Sequence, residues 1–280
     1  MHDGACTPHI DPEPPIAPDQ AGTRNPLTTP CSTHPTCLQT GIPDAHADPD
    51  VRKRLDQHLQ RWLGVWPPTR AGQLVVTAER LRPGWDGRVR PIQGVTGPEG
   101  TVLAISPDLR ELFSGVDVAA LVEDLFEDDA HRRLSARLGV TVNFGMPIFR
   151  WSERATEVDE IGEWVDAGDP RLPDWLRPFN GGILATFDGD EYMAGVGLKR
   201  HNEFAREISV GTDPEYRGQG LASQLVAQAA ARIIAAGEVP IYQHGDSNVA
   251  SAKVAEAAGF PDRGWHMIEI HPGANSPIRG

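Results

Sequence analysis

The chain has 280 residues, of which 39% are hydrophobic and 23% charged, and its formal net charge is −13. That length suits one large domain or two small ones. No apolar run approaches the roughly 18 residues of a membrane span. The opening MHDGACTPHIDPEPP has neither the basic nor the apolar part of a secretory signal. The acidic balance argues against broad binding to nucleic acid or to an anionic membrane. Three cysteines form no disulfide framework, which fits a reducing cytoplasm.

Residues 1–50 hold all three Cys and ten of the 25 Pro, with no Phe, Trp or Tyr. Such a segment buries too little apolar surface to offset its ordering entropy, so residues 1–49 are expected to be a disordered, Pro-rich tail. Cys31, His34 and Cys37 have ligand-like gaps, echoed by Cys6 and His9. A zinc site would need hydrophobic support that this stretch lacks, so no metal is expected.

Order is expected from residue 50. Val51, Leu55, Leu59, Trp62 and Leu63 recur at helical spacing and Gly64 ends the run. Strands are expected over 73–81, over RVRPIQGV and over 101–107, the last two joined by a turn at Gly97-Pro98-Glu99-Gly100. Two helices follow, DLRELFSG and a long one from Val118 to Gly139, and then a strand over 141–151. Residues 50–151 thus read as a smaller α+β domain, and residues 152–280 as a second domain. The second opens with a short helix around Val158–Trp164. It continues as a hairpin around Asp188-Gly189-Asp190, a strand over 206–212, a helix from Leu221, a buried strand over 239–243, a helix over 248–258 capped by Asp246 or Ser247, and a strand over 265–271. From Gly181 the order is β-β-β-α-β-α-β, and residues 206–243 form a βαβ unit.

Between the strand at 206–212 and its helix lies Arg217-Gly218-Gln219-Gly220-Leu221-Ala222. Glycines at a strand-to-helix turn let backbone amides point outward, and the helix start adds its positive dipole end, so the turn suits phosphate oxygens. It is neither a Walker A loop nor a dinucleotide fingerprint, because the residues or spacing of each are missing.

With Pro214-Glu215-Tyr216 before it, and with Asn248 heading a helix that ends at Gly259-Phe260, this loop resembles the GNAT superfamily of acyl-CoA N-acyltransferases. The resemblance covers roughly residues 180–271. It implies an α/β fold with a mixed sheet whose central parallel strands splay apart. The preceding α+β domain could then be a degenerate copy of the same fold. It further implies acetyl-CoA as the acyl donor. The amides of Arg217 to Ala222 would hold the pyrophosphate, the backbones of Val210 and Thr212 would pair with the pantetheine arm, and Asn248 would bond a pantetheine amide. The other reading of Asn248 is a plain helix cap, and the ligand role is preferred because its position matches the family block.

Acyl transfer also needs a base for the ammonium and an acid for the thiolate. The family's usual Tyr falls at Ala255 here, which leaves Tyr242 as the nearest phenol. Glu207 is the candidate base, because Ile208, Val210 and Thr212 share the opposite face of the strand, so Glu207 points into the acceptor cleft if its own face is the open one. Glu203 and His244 are the alternatives. The expected function is transfer of acetyl to an amine in a ternary complex, with a small-molecule acceptor expected ahead of a protein one. A groove roofed by residues 51–150 would suit a small molecule, and a flat one a protein. The alternative is a non-catalytic acyl-CoA-binding regulatory module, which the alanine at 255 would suit.

Overall fold

The amphipathic run at the start of the ordered chain becomes helix α1 (Pro49–Leu63), and every apolar residue of its repeat is buried. The computed structural model describes residues 49–127 and 129–272. The expected tail, with Cys31, His34 and Cys37, lies outside the described residues.

One sheet organises the described chain. Its strands are β1 (Gly72–Val76), β2 (Ile92–Gly97), β3 (Gly100–Ile105), β4 (Val142–Gly145), β5 (Ile148–Trp151), β6 (Glu163–Val165), β7 (Ile183–Asp188), β8 (Glu191–Arg200), β9 (Ala205–Thr212), β10 (Val239–His244) and β11 (His266–Pro272). Their order is β1-β3-β2-β11-β5-β10-β9-β8-β7-β6, with β4 paired to β11 off this path. The sheet is mixed: β1 with β3 and β9 with β10 are parallel, and the other pairs are antiparallel. It runs without a break across residue 151, because β5 lies between β10 and β11. The helices that follow β3 lead to β4, which pairs antiparallel with β11, so the first half of the described chain does not repeat the βαβ crossover of the second.

The two faces are covered differently. Helix α1 lies on one face, against Val95, Val102, Met267, Phe149, Trp151 and Ile241. The other face carries α2 (Val118–Leu125) and α3 (Ala130–Leu138) over β1, β3 and β11, and α4 (Leu221–Ala235) and α5 (Val249–Ala257) over β8, β9 and β10. Alternation along each strand decides which side chains meet which layer. Thus Ile208 and Tyr242 face α4 and α5, whereas Ala205 and Ile241 face α1.

Several elements differ from the sequence expectation. The strand at 73–81 stops at Val76, because Thr77 caps a 3₁₀ turn over Ala78–Leu81 by accepting from the Glu79 amide. DLRELFSG forms only a short 3₁₀ helix, Pro107–Leu109, and turns. The long helix is two, parted after Phe126, where consecutive acidic residues oppose the negative end of α2. The strand at 141–151 is also two, parted at Met146-Pro147, and its halves pair with different partners. No helix forms around Val158–Trp164. Gly162 lies so close to Leu225 that a β-carbon would overlap it and crowd Leu184, and the Gln228 side chain ties its backbone, so the chain continues as edge strand β6. Asn248, and not Asp246 or Ser247, caps α5.

Where β11 meets β5, Trp265 packs on Trp151 at 4.7 Å and on Trp66 at 5.2 Å between ring centres, and its backbone carbonyl accepts from Phe149 at 2.8 Å. The Trp265 ring is buried and fits against the bare backbone of Gly97. Trp265→Ala should therefore cost about 3–5 kcal/mol in urea unfolding, the usual range for removing a buried aromatic. A loss below about 1 kcal/mol would show that this seam does not hold the two halves of the sheet together.

Candidate active site

The strand-to-helix turn after β9 is exposed and open. Gly218 and Gly220 have φ of 79° and 80°, the left-handed region that side chains resist. A β-carbon at Gly218 would meet nothing, so the backbone conformation and not space requires the glycine. Gly220 is the N-cap of α4 and has no side chain to accept the first amides of that helix. Arg217 folds back, its Nε 3.4 Å from the Thr212 carbonyl.

The parallel pair leading to this turn is short. β9 and β10 stay in register from Ala205–Val239 to Ile208–Tyr242 and then part. The Val239 amide donates to the Phe204 carbonyl on one side of β9, and the Asp213 amide donates to Met193 on the other. By alternation, the N–H and C=O groups of Val210 and Thr212 point away from β8, into the gap. Asn248 stands exposed on the far side, its Oδ1 accepting from the Ser251 amide at 3.0 Å. The cap role is thus present, and the side-chain amide nitrogen remains as a donor.

On the α1 face a cavity of about 530 Å³ opens beside this parting. Glu207, Gln243 and Lys199 form its sheet wall. Trp62 and Arg61 of α1 and residues 79–90 form its roof. Trp85 in that roof stacks on Phe179 at 5.2 Å, with the Lys199 ammonium 5.5 Å from its ring centre.

Glu207 lies in the cavity wall, tightly held. It accepts from Lys199 Nζ at 2.5 Å, from His201 Nε2 at 2.9 Å and from Gln243 Nε2 at 3.3 Å. Burial alone would raise its proton affinity, but the Lys199 ammonium and then His201 outweigh it and hold the carboxyl at about 2. Glu203 also lines the cavity and is exposed. His244 reaches the same cavity, with Nδ1 against the Gly245 carbonyl and a buried Nε2 that has no partner. Tyr242 is on the opposite face, at the last paired position before the gap. Its hydroxyl is 2.8 Å from Ser251 Oγ, and burial raises its proton affinity above the usual phenol value. Ala255 is buried in the same cluster.

His201 and Lys199 were not singled out from the sequence. The hairpin register places Lys199 directly opposite Glu207, and cross-strand opposition of unlike charges is a signal that counting along the hairpin could have found. His201 lies beyond the end of β8, where no periodicity points to it.

Behind His201, the buried His58 bonds Asn202 Oδ1 through Nδ1 at 3.0 Å, and its Nε2 has no partner. Burial outweighs that bond and pushes the imidazole from 6.5 down to about 4. The unfolded chain takes up this proton first as the pH falls. Stability should therefore drop between about pH 6.5 and 4, by at most about 1.4 kcal/mol per pH unit. The Glu207 contribution is lost separately, from about 4.5 down toward 2. His58→Gln should flatten the first slope in urea unfolding at pH 7, 5.5 and 4.5. An unchanged slope would contradict the buried neutral ring.

No curated protein matches the chain. Among solved structures, a GNAT-family chain from Novosphingobium aromaticivorans is 21% identical, over 47% of this chain and just under two thirds (66%) of its own length, with a TM-score of 0.41. A GNAT-family acetyltransferase from Colwellia psychrerythraea is 14% identical over 61% and 76%, with a TM-score of 0.40. An N-acetyltransferase-like protein from Streptococcus suis is 16% identical over 80% and 100%, with a TM-score of 0.42. The model of the acetyltransferase (GNAT) family matches residues 146–260. The stretch that contains the glycine turn, the parting strands and Asn248 is therefore an acetyltransferase domain of the GNAT family.

Proposed function

We propose that the protein moves an acetyl group from acetyl-CoA to the amine of a small acceptor by direct attack in a ternary complex. The observation that carries this reading is the parting of β9 and β10 after Ile208–Tyr242, with the open glycine turn at one end and the roofed cavity on the α1 face. The amides of residues 217–222 and the start of α4 suit the pyrophosphate. The backbones of Val210 and Thr212 suit an extended arm with amide groups, and the Asn248 side-chain amide can add a donor. Acetyl is the family's usual acyl group. The roof from α1 and residues 79–90 favours a small acceptor over a protein. A reducing compartment, the cytoplasm, fits the three unpaired-count cysteines.

In the transfer, the amine nitrogen attacks the thioester carbonyl carbon and the C–S bond breaks. Glu207, held near 2, is too weak a base for an ammonium at neutral pH. We assign the base to His201. The Glu207 carboxylate accepts the proton on its Nε2, which leaves Nδ1 with the lone pair, and Glu207 is then a positioning residue. Tyr242 keeps its proton at neutral pH and stands at the mouth of the gap, so it suits the acid that meets the departing thiolate. It would replace, from a strand, the phenol that Ala255 lacks. The same alanine favours the second reading, an acyl-CoA-binding module without turnover.

Thiol release from acetyl-CoA over a panel of amines separates the two. Amine-dependent release is expected, and acetyl-CoA binding without release on any amine would leave the regulatory module. His201→Gln should lower kcat by about 10²–10⁴-fold, with part of the rate returning at higher pH as more amine is already deprotonated. A normal rate would move the base to Glu203, His244 or water. Gly218→Asp or Gly220→Asp should weaken acetyl-CoA binding by about 10²-fold or more, because an anion then faces the pyrophosphate. Unchanged affinity by calorimetry in a folded variant would remove the donor assignment.

A further inference from the structure

The whole chain is strongly acidic, yet the cavity is lined by six Arg or Lys side chains and four Glu. Three of the cations are already matched: Lys199 by Glu207, Arg82 by Glu79, and Arg90 by both oxygens of Asp86. Arg80 is not. It is 6% exposed, and its guanidinium donates to the Gln93 side chain and to the Trp62 carbonyl, both neutral acceptors. Its Nε is buried with no hydrogen-bond partner at all. Arg61 and Arg88 line the same cavity without a carboxylate partner among the described residues. A buried guanidinium without an acid is costly unless an anion joins it.

The position of Arg80 relative to the base gives this charge a use. Its guanidinium carbon is 5.8 Å from the ring centre of Trp62, and the His201 ring is 5.3 Å from the same indole. Both side chains also line the one cavity, so a short molecule lying in it can meet Arg80 with one end and His201 with the other. Glu203, exposed in the same wall, suits an arriving ammonium.

We infer that the acceptor is a small amine that also carries an anionic group, carboxylate or phosphate, and that Arg80 binds that anion while the amine lies at the His201–Glu207 pair. This deepens the reading of the cavity as the acceptor site and rests on it. An anion in the cavity supplies the partner that Arg80 lacks, and a guanidinium fork suits the paired oxygens of either group. Closure of the cavity by α1 and residues 79–90 limits the acceptor to a compact molecule.

The test uses matched amines on the full-length protein with acetyl-CoA: glycine, β-alanine and 4-aminobutyrate against their primary amides, and O-phosphoethanolamine against ethanolamine. At least one anionic member should exceed its neutral partner in kcat/KM by about 10- to 100-fold, the span for one charge-assisted contact. The phosphate and carboxylate arms show which anion fits. Arg80→Gln should bring that ratio near one while acetyl-CoA affinity stays unchanged. Calorimetric titration of the same amines into protein saturated with CoA gives the preference without turnover, and in wild-type protein, so it stands apart from the folding of the variant. Equal or better use and binding of the neutral members would overturn the inference. So would a preference that survives in folded Arg80→Gln. Selective binding of the anionic members with no thiol release would support this inference and count against acyl transfer itself.

Discussion

The site depends on a pairing that stops. β9 and β10 share a parallel ladder for four residues and then separate, although both strands continue. A parallel ladder ordinarily satisfies the backbone groups along its length, and groups left unpaired inside a protein are costly. Here those of Val210 and Thr212 face a gap that remains open to a ligand strand. The neighbours enforce the separation. β8 stays paired with β9 up to Thr212, and β5 stays paired with β10 up to His244. Each strand is held by its outer partner, so the inner edges cannot close on one another.

The two faces of the sheet then give the gap two different ends. On the α4–α5 side lie the glycine turn, Asn248 and Tyr242. On the α1 side lie Glu207, Gln243, His201 and the charged cavity. The period of two along each strand assigns them: Tyr242 and Gln243 are neighbours in the chain yet face opposite layers. The wall of the cavity is built from both ends of the chain's order, since Trp62, Arg80 and Gln93 come from the first third and Glu269 from the last strand. That is possible because β11 returns to pair with β2.

Much of the second half was legible from local signals. The hairpin at Gly189, the glycine turn, the α4 stripe and the βαβ unit each rest on residues close in sequence, and each formed within a residue or two of its expected bounds. The first half was less so. There Pro147 divides a strand and acidic residues divide a helix, and at the start of the second half Gly162 is drawn against Leu225, an outcome that turns on long-range packing. The candidate site divides in the same way. The glycine turn could be read from its sequence. The restraint on Glu207 could not, because it needs Lys199 across the hairpin and His201 beyond it. Arg80 carries no local signal either, since its lack of an ion pair is a property of the folded cavity.

Residue-resolved amide exchange by NMR, with and without acetyl-CoA, tests the open gap most directly. Asp213, bonded to β8, and its alternating neighbours Ser209 and Gly211 should be protected in both states. The amides of Val210 and Thr212 should exchange freely in the unliganded protein and slow by about tenfold or more once the ligand pairs with them. Slow exchange at both positions without ligand, or fast exchange that persists in protein saturated with acetyl-CoA, would contradict the account.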